Sequence, residues 1–198
     1  MSIVKSIRNL FFEPAQFFEN YTKKGLGIPI LITVIYGVLA AVYAFLSTMQ
    51  KPAAMAMNIP GVSAEEIMPA IAGGSAFGAF FTAIIAWIAM SLLFFFALKI
   101  FCKPAPGFKD VLHITSFGAI PLAVSAIIEI LISFAGTPNA WAILVLSAAV
   151  LFITIPIWVK GFEKIGAGPE KKILTAVIIA CLIPVVISVV TTIMGTGA

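Results

Sequence analysis

One acid, Glu129, interrupts the aliphatic run AIIEILISF, with Ser125 and Ser133 one turn to either side of it. Residues four apart share a helix face, so the three would form a polar stripe. A carboxylate held that way can bind a proton or a cation, or accept the hydrogen bond that pairs two helices. Lys51 is the basic residue placed to meet it, and Tyr36 and Tyr43 are further donors. Asp110 and His113, three apart, make a second candidate. One helix face could present them as a proton-binding pair or, more commonly, as an anchor for a helix end.

Other chemistry has little to work with. No glycine-rich phosphate loop, spaced Cys/His cluster or nucleophile–base pairing occurs, and a chain with one histidine cannot supply a His-rich metal site. Met49, Met55, Met57 and Met68 could be soft thioether ligands for Cu(I). No Cys or His accompanies them, and methionine is also the usual filler of irregular apolar gaps. The expectation is therefore a non-enzymatic chain with no cofactor and no bound metal. Cys102 and Cys181 lie in or beside apolar segments and are expected to be reduced, helix-packing thiols.

The elements that must position these residues are membrane helices. The chain has 198 residues, 62% hydrophobic and 10% charged, whereas soluble domains carry about 25% charged residues. No soluble core of this size hides that much apolar surface. Five runs meet the roughly 20-residue length of a span: about 28–48, 76–101, 111–135, 140–159 and 173–194. Gly136 and Pro138 turn the third into the fourth. With five spans, eleven of the twelve basic residues fall on one side and Lys51 alone on the other. The positive-inside rule then places the N-terminus in the cytoplasm and the C-terminus outside. The net charge of +4 is a topological signal, not a nucleic-acid-binding one. Trp141 and Trp158, at the two ends of span four, fit an aromatic belt. The sequon Asn20-Tyr21-Thr22 would face the cytoplasm and stay unglycosylated.

Residues 1–24 form a separate unit before the membrane domain of residues 25–198. Ile3, Ile7, Leu10, Phe11, Phe17 and Phe18 recur at helical spacing opposite Lys5, Arg8 and Gln16. Pro14 suits the first turn of a second helix. Two interfacial amphipathic helices on the inner leaflet are expected, and the apolar run is too interrupted for a signal peptide. In the outer connection, Ser63 to Glu66 has the form of a capping box and predicts a short helix before span two. Gly74 and Gly78 have the spacing that lets helices approach closely. Pro121, Pro156 and Pro184 predict kinks in spans three to five.

On those spans, Glu129 lies about 9 Å outward of the centre of span three. Facing lipid there would cost about 2–3 kcal/mol, so it should face protein or water. The fold class is all-α: a polytopic membrane protein of five transmembrane helices preceded by interfacial helices.

The stretch FFEPAQFFE, the start of the third span in ITSFGAIPLAV, and IPIWVKGFEKIGAGPEKKILTAVI before the last span resemble the YIP-domain family. These are five-span membrane proteins that interact with Rab GTPases, and their prokaryotic relatives. Pro14, Pro121, Trp158 and Gly161 carry the resemblance. It implies a membrane-organising adaptor that recruits cytosolic partners. The chain lacks the acidic N-terminal region and Asp-Leu-Tyr-Gly-Pro motif of the trafficking members and is similar to the short prokaryotic branch, in a cell membrane. Membrane lipids, a cytosolic protein and further copies of the chain are the expected partners. The alternative is a small transporter or channel that uses Glu129 in an outward-facing cavity.

Overall fold

The computed structural model describes residues 3–21, 25–50, 64–135 and 140–195. The described residues form eight helices and no strand. Two short ones come first, α1 (Ile3–Phe12) and α2 (Pro14–Asn20), followed by α3 (Gly27–Met49) and α4 (Ala64–Phe101). Then come α5 (Phe108–Ser116), α6 (Ala119–Ala135), α7 (Ala140–Lys164) and α8 (Glu170–Gly195). Four stretches among the described residues are long and apolar enough to cross a membrane: Gly27–Met49, Ile67–Phe101, Phe108–Phe134 and Val145–Lys164. The chain is a multi-pass membrane protein.

The helices close a ring. α3 packs on α4 and α6, α6 on α7, α7 on α8, and α8 back on α4. Bulky side chains point outward, among them Phe77, Phe96, Phe134 and Phe152. In a bilayer that outward face meets lipid, which is as apolar as the side chains themselves.

The core sits at one end. Phe94 and Leu98 of α4, Ile114 of α5, Phe162 of α7 and Val177 of α8 are almost wholly buried there. The N-terminal helices join this cluster and pack on α7. Leu10 and Phe18 are each 1% exposed, and the Phe18 ring stands edge-on to Phe117 at 5.4 Å. Gly161 makes the approach feasible, since a Cβ there would meet Ile114 at 2.6 Å and Phe18 at 3.0 Å. Lys99, Lys103, Lys109, Lys164, Lys171 and Lys172 stand exposed around the same end.

Helix α7 stops through its glycine. Gly166 has φ +75, a region open mainly to glycine. Its N–H donates to the Glu163 carbonyl at 3.0 Å and Ala167 N–H donates to Phe162 at 3.1 Å. That pairing satisfies two orphan carbonyls at the helix end.

Four expectations change on the structure. Span two and the predicted short helix are one 38-residue α4, about 57 Å long. Glycines at 73 and 74 weaken a helix by about 1 kcal/mol each, too little to stop one this long. Span three is instead two helices, because Pro121 has no N–H to continue the ladder and the chain tightens over Phe117 and Gly118. Pro156 and Pro184 stand inside helices that continue past them. The glycine spacing at Gly74 and Gly78 is not where helices meet: nothing lies within 4 Å of either missing Cβ, whereas Gly37 of α3 abuts Phe80 at 3.1 Å. Trp158 is a core residue, 7% exposed, and not part of an interfacial belt.

Candidate functional site

A cavity of about 680 Å³ occupies the middle of the ring, away from the packed end. Its walls come from α3, α4, α6 and α7, each through one face. Thr33, Tyr36, Ala40, Tyr43 and Ser47 face it from α3 at alternating steps of three and four residues, with Ala44 beside them. Ala79, Thr82, Ala83, Ala86 and Trp87 do so from α4, and Leu122, Ser125, Ala126 and Glu129 from α6. Ser147, Val150, Leu151 and Thr154 complete it from α7. Steps of three and four keep residues on one face of a helix. The inward faces are thus rich in small and hydroxylated residues, with Trp87, Leu122, Val150 and Leu151 among the larger ones, and the outward faces are bulky and apolar.

Its floor is the break between α5 and α6. The Thr115 carbonyl, released where the helix ends, accepts from Gly118 N–H at 3.1 Å and from the Trp158 indole Nε1 at 3.2 Å. The Thr115 hydroxyl accepts from Trp87 Nε1 at 3.2 Å and lies 2.6 Å from Ser91 Oγ. Irregular backbone at membrane depth persists where protein groups satisfy it and it borders a cavity. Gly118 lets the indole lie on the backbone, since a Cβ there would come within 2.5 Å of Trp158 Cζ2. Below the floor, Trp158 packs edge-on to Phe94 at 4.7 Å, which continues into the aromatic core.

The sequence-predicted residues divide. Ser125 and Glu129 share the cavity wall, and Ser125 Oγ donates to Glu129 Oε1 at 3.3 Å. Tyr36 and Tyr43 line the same space from α3. Ser133 does not extend the stripe: its hydroxyl turns back to the Ile130 carbonyl at 2.6 Å. Its own carbonyl accepts from Gln50 Nε2 at 2.8 Å, which ties α6 to the end of α3. Lys51 lies outside the described residues. Among the described residues no Lys or Arg lines the cavity.

Asp110 stands in the first turn of α5 and His113 in its last, at the packed end. His113 is buried at 1% exposure, and its Nε2 is hydrogen-bonded to the Tyr21 hydroxyl just after α2. Burial raises the Tyr21 hydroxyl above its usual pKa of 10.0, which keeps it neutral and able to hydrogen-bond. His113 thereby helps fasten the N-terminal helices to the bundle. Cys102 is fully buried beside Gly168, and burial pushes its thiol up, offset in part by Lys172. A thiol held protonated is a poor nucleophile and a poor metal ligand. No group of three or more His, Cys, Asp or Glu residues that could hold a metal occurs among the described residues.

The Thr115 floor was not anticipated from the sequence. Its signal was present in the small and hydroxylated residues recurring at helical spacing in four spans, a pattern opposite to that of a soluble amphipathic helix.

These features define a multi-pass helical membrane protein with a packed basic end and a central cavity. The sequence profile of the Yip1 domain matches residues 8–193. The chain belongs to the Yip1 domain family. No match was found among curated proteins or solved structures.

Proposed function

We propose that the chain is a non-enzymatic scaffold of the YIP type, whose basic end is a rigid cytoplasmic platform for protein partners and anionic lipid. The supporting observation is the docking of α1 and α2 into the bundle core through Leu10, Phe18 and the Tyr21–His113 bond. Helices that merely float on a leaflet would not need fully buried anchors. In this reading α8, 26 residues long, serves as a fifth span, which puts the termini on opposite sides, and the lysine-rich end that carries α1 and α2 faces the cytoplasm. In this reading α1 also serves as an interfacial helix, and its exposed Ile7 and Phe12 support that role. Lys160 is held by Glu163 at 2.9 Å and Glu170 at 3.0 Å. Lys164, Lys171 and Lys172 therefore supply the exposed charge of the α7–α8 turn.

Proximity labelling from a tag on the N-terminus tests the platform, with Lys164→Glu/Lys171→Glu/Lys172→Glu compared with wild type at matched membrane levels. A set of cytosolic proteins labelled by wild type and lost in the triple variant is expected. Identical labelling would end this reading.

The cavity favours a second reading, a small transporter using Glu129. Proton and ion flux in liposomes, with wild type beside Glu129→Gln, decides it. Flux abolished in the variant supports transport, and none above empty liposomes rejects it.

A further inference from the structure

The cavity is encoded in the sequence and is not a packing defect. Alanines face it from three helices, Ala40 and Ala44 on α3, Ala79 and Ala83 on α4, and Ala126 on α6, while larger side chains on those helices turn outward. Protein interiors pack at the density of organic crystals. A space of about 680 Å³ falls instead among small-molecule sites, which span about 300–1,000 Å³. Such sites combine apolar walls with a few polar groups that fix orientation.

Beside the serine and threonine hydroxyls, which can donate or accept, the charged and aromatic groups of the cavity are of one electrostatic kind. Glu129 brings a carboxylate, and Tyr36 and Tyr43, two turns apart on one face of α3, bring phenol rings. Aromatic faces and a carboxylate both attract positive charge, and the attraction grows as water is excluded. The alanines, with Leu122, Val150 and Leu151, would bury an apolar body. Among the described residues the hydrogen bond to the Glu129 carboxylate is the long one from Ser125, which leaves acceptor capacity on a side chain that lines the cavity.

The geometry points to a binding site for an apolar organic ammonium ion, its nitrogen at Glu129 and its body against the small-residue walls. This inference is independent of the platform reading and does not require transport. The ammonium has two natural sources, the amine headgroup of a phospholipid entering between helices, or a free small amine.

The test is equilibrium dialysis of benzyltributylammonium against purified protein in phosphatidylglycerol nanodiscs, with empty discs as the blank. A nanodisc has no second compartment, so binding is read apart from flux. Saturable binding at about one per chain is expected, weakened at least about tenfold in Glu129→Gln, the scale of a lost charge-assisted contact. Ala126→Leu, which fills the cavity and leaves the carboxylate in place, should weaken it comparably. Replacing half the lipid with phosphatidylethanolamine suppresses the probe if the headgroup is the occupant, and leaves it unchanged if a free amine is. No saturable binding would overturn the site, and so would equal affinity in Glu129→Gln. If Glu129→Gln fails to fold, unchanged binding in folded Ala126→Leu overturns it equally.

Discussion

Gly118 and Trp158 work as one unit. The indole occupies the space that any side chain at 118 would need, and its N–H caps the carbonyl that the Pro121 break leaves over. Gly118→Ala should therefore overpack the cavity floor and destabilise the protein by about 1–3 kcal/mol, read from the unfolding midpoint in detergent. Trp158→Phe removes the nearest atoms and should rescue part of that loss. The double variant is expected to be at least about 0.5 kcal/mol more stable than the summed single effects, as for residues in contact. Simple additivity would mean the two side chains do not share the site as described. Neither residue announced this role. Glycine and tryptophan near a span end read equally well as a turn and a belt, and only the fold brings positions 115, 118 and 158 together.

At the scale of elements, most helices were legible because apolar length alone specifies a span. α3 was expected at 28–48 and is found at Gly27–Met49. The break inside span three was less so: a proline in a membrane helix predicts a kink, and whether it becomes a break depends on partners from α7. The merging of two predicted helices into α4 was hidden for the opposite reason, since glycine and serine mark turns in water and are tolerated within membrane helices. Of the candidate polar residues, Glu129, Ser125, Tyr36 and Tyr43 share the cavity, and Lys51 lies outside the described residues. Ser133, at equal spacing, satisfied its own backbone instead.

The docking of α2 gives a pH dependence. Because burial raises the Tyr21 pKa above 10.0, the folded form keeps its proton where the unfolded chain loses it. Stability from this group is complete below about pH 10 and falls as pH rises through the folded value. The melting temperature of wild type should fall as the pH is raised past 10.0, where the unfolded chain ionises and the folded form does not. Tyr21→Phe should be less stable at neutral pH, by about 1 kcal/mol for the lost bond to His113, and should show a smaller alkaline drop. Parallel curves for the two proteins would remove Tyr21 as the titrating anchor.

Over the whole molecule, charge and packing are distributed asymmetrically. Every described Lys and Arg belongs to the end that carries α1 and α2, and so does the buried aromatic core. If that end is cytoplasmic, Lys171→Cys and Lys103→Cys should label with a membrane-impermeant maleimide only after the membrane is opened. Cys102 supplies an internal control: buried and held protonated, it should stay unlabelled in either case. Labelling of Lys171→Cys in sealed, right-side-out vesicles would reverse the topology.

The aromatic core beneath Thr115 also has a kinetic meaning. It stops the central space at one end, which makes the ring a well with a sealed bottom and not a conduit. A molecule bound there would leave by the path it entered, and its residence would be governed by that one exit barrier. The floor is continuous with the basic end, because Trp87, Ser91, Thr115 and Trp158 are bonded to one another and Trp158 rests on Phe94. In this conformation the ring can hold a molecule but cannot pass it through, and passage would require the floor at Thr115 and Trp158 to part.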